Sequence, residues 1–265
     1  AGPPYPEVNL LLIGNEENGE FEPVGTQHAL QTLAEEGAVL PGLLIAGERT
    51  GEGRDELWGE ICTENRGVMR FEISARGTRG HTGTAGAKTD LSLRLFKIRQ
   101  DISELLEGNL TLQGEGGWRS QVMYPFVKVG SPGIYNVLPD LGVMGVEVRP
   151  IPQDDLDSVR AALETYCQQH DLDLLVQVME NGVVCDPQNP YLQKLIQAIR
   201  QASGSEPRLG RKLPGTSARF APGGQAVVWG QTGIGPHARD ERHFIPSILP
   251  YYQALWAYAD LLKGR

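Results

Sequence analysis

The sequence predicts an α/β protein that is interrupted by an inserted α+β domain, and two patterns carry this prediction. Short, continuous apolar runs near both ends of the chain alternate with helical patterns, as in strands that are covered on both faces. Between residues 64 and 181, apolar and polar residues alternate instead, as in strands with one solvent-exposed face. The simplest organisation is a core formed by residues 1–63 and 182–265, with residues 64–181 as the insert.

The first part of the core is predicted to form a strand over residues 8–14, a helix over 24–37 and a strand over 42–46. Strand, helix and strand in this order imply a mostly parallel sheet, whose ligands bind beyond the carboxyl ends of the strands. Acidic residues follow both predicted strands: Glu16 and Glu17 after the first, and Glu48 after the second.

The insert has the pattern of a four-stranded antiparallel sheet covered by two helices, which is a ferredoxin-like unit. Its predicted strands are 67–75, 121–129, 143–149 and 173–180, and its predicted helices are 89–106 and 154–169. The chain then returns to α/β patterns, with a helix over 190–202, a strand over 226–229 and a helix over 247–263.

The composition excludes several classes of partner. The chain has 24 Lys and Arg against 33 Asp and Glu, a net charge of −9, and no basic cluster, so we expect no nucleic-acid or membrane partner. It contains neither a membrane-length apolar run nor a basic leader at its start, which predicts a cytoplasmic protein. Its 3 cysteines match no disulfide or metal spacing and are predicted to be buried thiols.

Two adjacent acids, Glu16 and Glu17, are the strongest chemical signal in the sequence. One carboxylate can bind a cation while its neighbour takes a proton from water. The alternative is a solvated acidic turn, since Glu20 and Glu22 follow in the same segment.

Glu48 and His237 are of the residue types that bind hydrolytic zinc. Each has an ordinary alternative: Glu48 can pair with Arg49 or Arg54, and the segment from His237 to His243 can be a hydrated charged loop. Nothing beyond motif spacing decides between these two histidines as the ligand.

Further candidates lie in the insert and in the last third of the chain. His81 stands in a glycine-flanked loop that lacks the context of a phosphate-binding motif. Arg149 ends a predicted strand and can hold a substrate carboxylate, or can pair with Glu147 or Asp154. The segment Gly215-Thr216-Ser217 can offer N–H groups and hydroxyls to the same carboxylate, or form a turn.

Taken in order, these motifs resemble the di-zinc amidohydrolase family of acetylornithine deacetylase, succinyl-diaminopimelate desuccinylase and the glutamate-releasing carboxypeptidases. The matching motifs span nearly the whole chain: NEENG, GERT, NRG followed by RGTRGHTG, NVLPD leading to EVRP, GTS, and a C-terminal His-x-x-x-Glu. The resemblance implies a zinc-peptidase-like core with an inserted lid, or dimerisation, domain.

The resemblance also implies a role for each candidate. Glu16 would be the general base and acid, and His81 would polarise the scissile carbonyl in the active site of a partner subunit. The implied zinc ligands are Glu17, Glu48 and His237. The implied substrate-binding residues are Asn136, Arg149, Gly215, Thr216 and Ser217. Two zinc ions per complete site are implied, with cobalt or manganese as substitutes, together with a homodimer formed through the insert.

Departures from the family pattern qualify this interpretation. Asn15, Arg49 and Ala218 replace the usual aspartate, proline and aspartate. The family's His-x-Asp motif and bridging aspartate would lie before Ala1, so the chain is expected to be an N-terminally truncated part of a longer enzyme, with little amidase activity alone. The expected function is hydrolysis of an amide bond in an N-acyl amino acid or small peptide. The alternatives are an aminopeptidase of the same fold and a non-catalytic dimerising or ligand-binding remnant.

Overall fold

The structure, a computed structural model, describes residues 8–14, 25–53, 56–84 and 90–263. Within them, the α-helices are α1 (Thr26–Glu35), α2 (Leu91–Asn109), α3 (Leu156–Gln169), α4 (Pro190–Ser203) and α5 (Ile248–Leu262). The strands are β1 (Leu44–Ala46), β2 (Ile61–Asn65), β3 (Val68–Arg76), β4 (Gly80–His81), β5 (Gln121–Val129), β6 (Val137–Leu138), β7 (Leu141–Arg149), β8 (Leu172–Glu180), β9 (Val183–Val184), β10 (Leu209–Lys212), β11 (Ala226–Val228), β12 (Gly233–Ile234) and β13 (Arg242–His243).

The chain divides into two compact units. Unit 1 consists of the described residues of Ala1–Asn65 and Val183–Arg265, and unit 2 consists of those of Arg66–Gly182. In the described part of the chain, no helix is both long and apolar enough to cross a membrane.

Unit 1 is built on a sheet with the strand order β1-β11-β2-β10, and β9 pairs with β2. The β1–β11 and β2–β10 pairs are parallel, while β11–β2 and β2–β9 are antiparallel. Val227 and its neighbour Val228 belong to different apolar clusters on the two faces, as the alternation of a strand requires. The cluster of Val227 includes residues of α4 and α5. The predicted α/β class is confirmed. The sheet contains both parallel and antiparallel strand pairs.

The strand predicted over residues 8–14 is wrong. These residues join no strand in the described part of the chain, and Leu10 and Leu12 are 84% and 82% exposed. A continuous apolar run indicates that a segment favours burial, but a strand also needs a neighbour that accepts its backbone hydrogen bonds. The run contains no information about that neighbour.

Unit 2 contains a four-stranded antiparallel sheet with the order β5-β7-β3-β8. Helices α2 and α3 pack against it around one apolar core, which includes Phe71, Ile102 and Leu163. Both helices begin at an aspartate, Asp90 or Asp155, whose carboxylate accepts two main-chain N–H groups of the first turn. The predicted ferredoxin-like arrangement is confirmed.

Two glycines of unit 2 should respond in opposite ways to alanine. Gly145 lies opposite Phe126 in the β5–β7 ladder, and a Cβ there would come within 2.3 Å of the phenyl ring. Gly108 lies in α2 with open space around its Cβ position. We expect Gly145→Ala to lower the free energy of unfolding by about 1–2 kcal/mol and Gly108→Ala to raise it by about 0.5 kcal/mol. Urea denaturation of both variants checks this, and a loss at Gly108 would contradict it.

Candidate functional site

Glu48 lies two residues after the end of β1, in a segment that runs alongside residues 230–233. The N–H groups of Thr50 and Gly51 donate to the Gln231 carbonyl at 3.2 and 3.4 Å, and the Gly233 N–H donates to the Gly51 carbonyl at 3.2 Å. The Arg49 side chain donates to the Gly233 carbonyl at 2.5 Å. Two segments that are far apart in the sequence are therefore joined at the end of β1.

Glycine at two positions permits this close approach. A Cβ at Gly230 would lie 2.2 Å from the carbonyl oxygen of Glu48, and one at Gly59 would lie 2.0 Å from that of Thr50. Both contacts are with main-chain atoms, which cannot turn aside as a side chain can. A side chain at either position would therefore displace the backbone of residues 48–50.

His237 lies at the tip of the β12–β13 hairpin, only four residues after Gly233. It is exposed and has a positive φ of 61°, which is uncommon for a residue other than glycine. Its N–H donates to the Glu241 carboxylate at 3.3 Å. His243 instead lies in the ladder opposite Gly233. The structure thus places Glu48 on a segment that pairs with residues 230–233, and His237 four residues after the end of that partner segment.

Charged groups also surround Cys62, which is buried on β2. Burial raises the pKa of its thiol to about 11; Lys212 opposes this shift, while Glu60 and Glu48 add to it. The Lys212 ammonium also donates a hydrogen bond to the Arg49 carbonyl. Cys62, Cys167 and Cys185 are all buried free thiols, as predicted.

The donor set agrees with zinc in its chemistry but is not a full set. Glu16 and Glu17 lie outside the residues that the structure describes. Among residues 8–14, 25–53, 56–84 and 90–263, no group of three or more His, Cys, Asp or Glu side chains could hold a metal ion. Glu48 and His237 offer one carboxylate and one imidazole, both usual zinc ligands, so any metal here needs further donors.

Thr216, one of the predicted substrate-binding residues, has its side chain engaged by a buried asparagine of unit 1. Thr216 is fully buried, and its N–H and hydroxyl donate to Asn65 Oδ1 at 3.0 and 2.8 Å. The hydroxyl oxygen also accepts the Ala218 N–H, which begins a short 3-10 helix, Ser217–Phe220. These polar groups are used inside unit 1. The neighbouring Gly215 and Ser217 are half-buried.

Asn65 is the residue that sequence reasoning missed. It is 1% exposed, and its Nδ2 donates to the Lys212 and Pro214 carbonyls at 3.3 and 2.6 Å. With the two bonds from Thr216, Asn65 holds the loop after β10 in place. The available signal was an asparagine at a strand end, in the NRG motif.

His81 and Asn136 are brought together in unit 2. His81 pairs with Val137 in the small β4–β6 sheet, and the Thr82 N–H donates to the Asn136 carbonyl at 3.2 Å. Both residues are exposed. Two of the predicted functional residues therefore lie on adjacent segments at the surface of unit 2.

Arg149 is engaged with Glu147, which was the alternative interpretation. Arg149 donates from Nε to Glu147 Oε1 at 2.8 Å, and Arg70 donates to Oε2 at 2.7 Å. Burial by itself would raise the pKa of Glu147, but the hydrogen bonds and charges of the two arginines outweigh it, and the pKa is lowered.

The pKa shift of Glu147 predicts a dependence of stability on pH. Because the pKa is lowered in the folded state, the stabilisation is present above the unfolded-state pKa and is lost as the pH falls through the folded-state value. Between about pH 5 and pH 3, we expect the free energy of unfolding to fall less steeply in Glu147→Gln than in the unsubstituted protein. Denaturant titrations at several pH values measure both slopes, and equal slopes would contradict the expectation.

No family model matches the chain. Solved structures that resemble it include aminopeptidase PepT from Bacillus cereus, with a TM-score of 0.64, 16% identity, and coverage of 94% of this chain and 63% of that one. The di-peptidase Dug1p from Saccharomyces cerevisiae gives a TM-score of 0.66 at 13% identity, covering 94% of this chain and 64% of that one. An amidase of the hydantoinase/carbamoylase family from Burkholderia phymatum gives 0.55 at 17% identity, covering 83% and 55%.

The chain thus spans between 55% and 64% of the length of these three proteins. At such low identities the likeness concerns the backbone arrangement. The chain has the fold that these amidases and peptidases share.

Proposed function

We propose that the protein takes part in metal-dependent hydrolysis of an amide bond in an N-acyl amino acid or small peptide. The observation that carries this proposal is the pairing of the Glu48 segment with residues 230–233, which lead into His237. Of two zinc-type donors separated by most of the chain, one lies on the first of these segments and the other follows the second by four residues. The amidase and peptidase fold supports the same class of reaction.

In this proposal, Glu17, Glu48 and His237 would hold zinc. Bound zinc would act as a Lewis acid that makes water a competent nucleophile near neutral pH. Glu16 would take a proton from the attacking water and give it to the leaving amine. His81 would donate a hydrogen bond to the carbonyl oxygen, and the adjacent Asn136 would hold the substrate.

We further propose a homodimer that forms through unit 2. The apolar side of α2, including Leu95 and Ile102, is packed in the core of unit 2 and is not available to a partner. The edge strand β5 instead exposes Met123 and Val127, at 63% and 52%. An exposed apolar edge strand is suited to pairing with a second copy. Sedimentation should show a dimer that Val127→Lys weakens, and a monomer at high micromolar concentration would contradict the proposal.

A hydrolysis assay on the protein as its gene encodes it tests the proposed activity. The substrates should be matched pairs of dipeptides and amino acids with free and acylated N-termini, assayed with and without zinc. We expect zinc-dependent hydrolysis that Glu16→Gln reduces by at least about a hundredfold, while zinc binding is retained. Preference for free N-termini would indicate an aminopeptidase. Zinc binding without hydrolysis of any substrate would indicate a non-catalytic remnant.

A further inference from the structure

We propose that the main-chain N–H of Gly83 is a positioning group for His81, and that it directs the proton of the neutral imidazole to Nε2. The geometry concerns only the loop after β4. Its catalytic consequence rests on the function proposed above.

The hydrogen bonds of this loop hold both the ring and the backbone. The Gly83 N–H donates to His81 Nδ1 at 3.1 Å. The Thr84 N–H donates to the His81 carbonyl at 3.1 Å, which closes a turn over residues 81–84. On the other side, the pairing of His81 with Val137 fixes the strand from which the turn begins. Nδ1, the ring nitrogen nearer to the backbone, therefore accepts a hydrogen bond from a main-chain donor whose position is fixed.

A neutral imidazole has one N–H donor and one acceptor nitrogen. Because Nδ1 accepts from Gly83, the ring proton belongs on Nε2; the other tautomer would set two N–H groups against each other. His81 would then present a donor to a substrate oxygen. This arrangement suits stabilisation of a developing oxyanion and does not suit a general base, which needs a free acceptor nitrogen.

Glycine at position 83 fits this role sterically. A Cβ there would lie 3.3 Å from both Cε1 and Nδ1 of His81, so a side chain would press on the ring. Gly80 occupies the same small sheet but has open space at its Cβ position. Gly80→Ala is therefore a matched control, because it adds the same methyl group to the strand before the loop and leaves the Gly83 N–H in place.

Long-range proton–nitrogen NMR spectra of the 15N-labelled protein test the tautomer directly. They should be recorded at about pH 9, well above the reference pKa of an imidazole, with His81→Gln used for assignment. We expect the proton on Nε2 and a scalar coupling between the Gly83 nitrogen and His81 Nδ1. Gly83→Pro, which lacks the N–H, should shift the tautomer ratio about fivefold toward Nδ1–H, and Gly80→Ala should leave it unchanged. Protonated Nδ1 in the unsubstituted protein, or an unchanged ratio in Gly83→Pro, would overturn the proposal.

Amide exchange gives a second test, because proline can also rearrange the turn. In His81→Ala, the Gly83 amide should exchange about fivefold faster, whereas the Thr84 amide, which is bonded to the His81 main chain, should keep its rate. An unchanged Gly83 rate, or equal acceleration at both amides, would count against a specific bond to the ring. If the unsubstituted protein carries the proton on Nε2 but hydrolyses none of the substrates, the proposed function is overturned and this assignment stands.

Discussion

Asn65→Ala is expected to destabilise unit 1 by about 3–4 kcal/mol, the largest effect of any substitution considered in this protein. The change removes four hydrogen bonds at once: two accepted from Thr216, and two donated to the Lys212 and Pro214 carbonyls. At 1% exposure of Asn65, water cannot easily replace them, so buried donors and acceptors stay unsatisfied. Urea denaturation followed by tryptophan fluorescence measures the loss, since Trp58 and Trp229 report on unit 1.

Three control variants separate the hydrogen bonds of Asn65 from its packing. Thr216→Ser keeps the hydroxyl and should cost only about 1 kcal/mol, whereas Thr216→Val removes it and should cost about 2 kcal/mol. Asn65→Asp keeps the acceptor for Thr216 but turns an oxygen toward the two carbonyls that Nδ2 contacts. It should therefore remain strongly destabilising. A loss below about 1 kcal/mol in Asn65→Ala would show that the loop after β10 is held by other contacts.

For the zinc site proposed above, His237→Asn is expected to lower zinc affinity by about a hundredfold or more while leaving the fold as stable as before, or more stable by up to about 1 kcal/mol. The residue has a φ of 61°, and asparagine tolerates this conformation better than most residues. His237→Ala should lose zinc equally but gain no stability. A substitution that lowers ligand affinity but raises stability is typical of a functional residue held in a strained backbone conformation, as His237 is at its positive φ.

Zinc affinity by competition with a chromogenic chelator, together with urea denaturation, measures both quantities. His243→Asn is the matched control, because His243 lies in the β12–β13 ladder opposite Gly233. We expect it to leave zinc affinity unchanged. If His243→Asn lowers the affinity and His237→Asn does not, the ligand is His243.

Much of the fold could be predicted because local patterns decide it. β5 has the limits that alternation predicted, residues 121–129, and α4 begins as predicted at Pro190, after the capping Asn189. α2 begins two residues later than predicted, because Asp90 is the cap and Leu91 the first residue inside the helix. Residues 8–14 show the limit of prediction from local patterns, because an apolar run becomes a strand only where another strand pairs with it.

The candidate site could be predicted only where a residue's chemistry is carried by its type and spacing. Glu48 and His237 are predicted in this way, although the hydrogen bonds that join the segment of Glu48 to residues 230–233 have no sequence signature. The residues alone left Thr216 open between a substrate contact and a turn, and the family resemblance implied the substrate contact. The Asn65 contact that engages Thr216 comes from a residue 151 positions away. Arg149 is likewise engaged by Glu147, an acid on its own strand.

The pairing of β2 with β9 has a consequence for how the two units could be separated. Asn65 and Val183, the last residue of unit 1 before unit 2 and the first after it, are register partners in an antiparallel ladder. Val68 and Glu180, near the two ends of unit 2, are register partners in another. A two-residue hairpin turn could therefore replace the whole of Arg66–Gly182 without stretching unit 1. The excised segment would keep its termini side by side, so each unit is a natural module for separate expression, grafting or circular permutation.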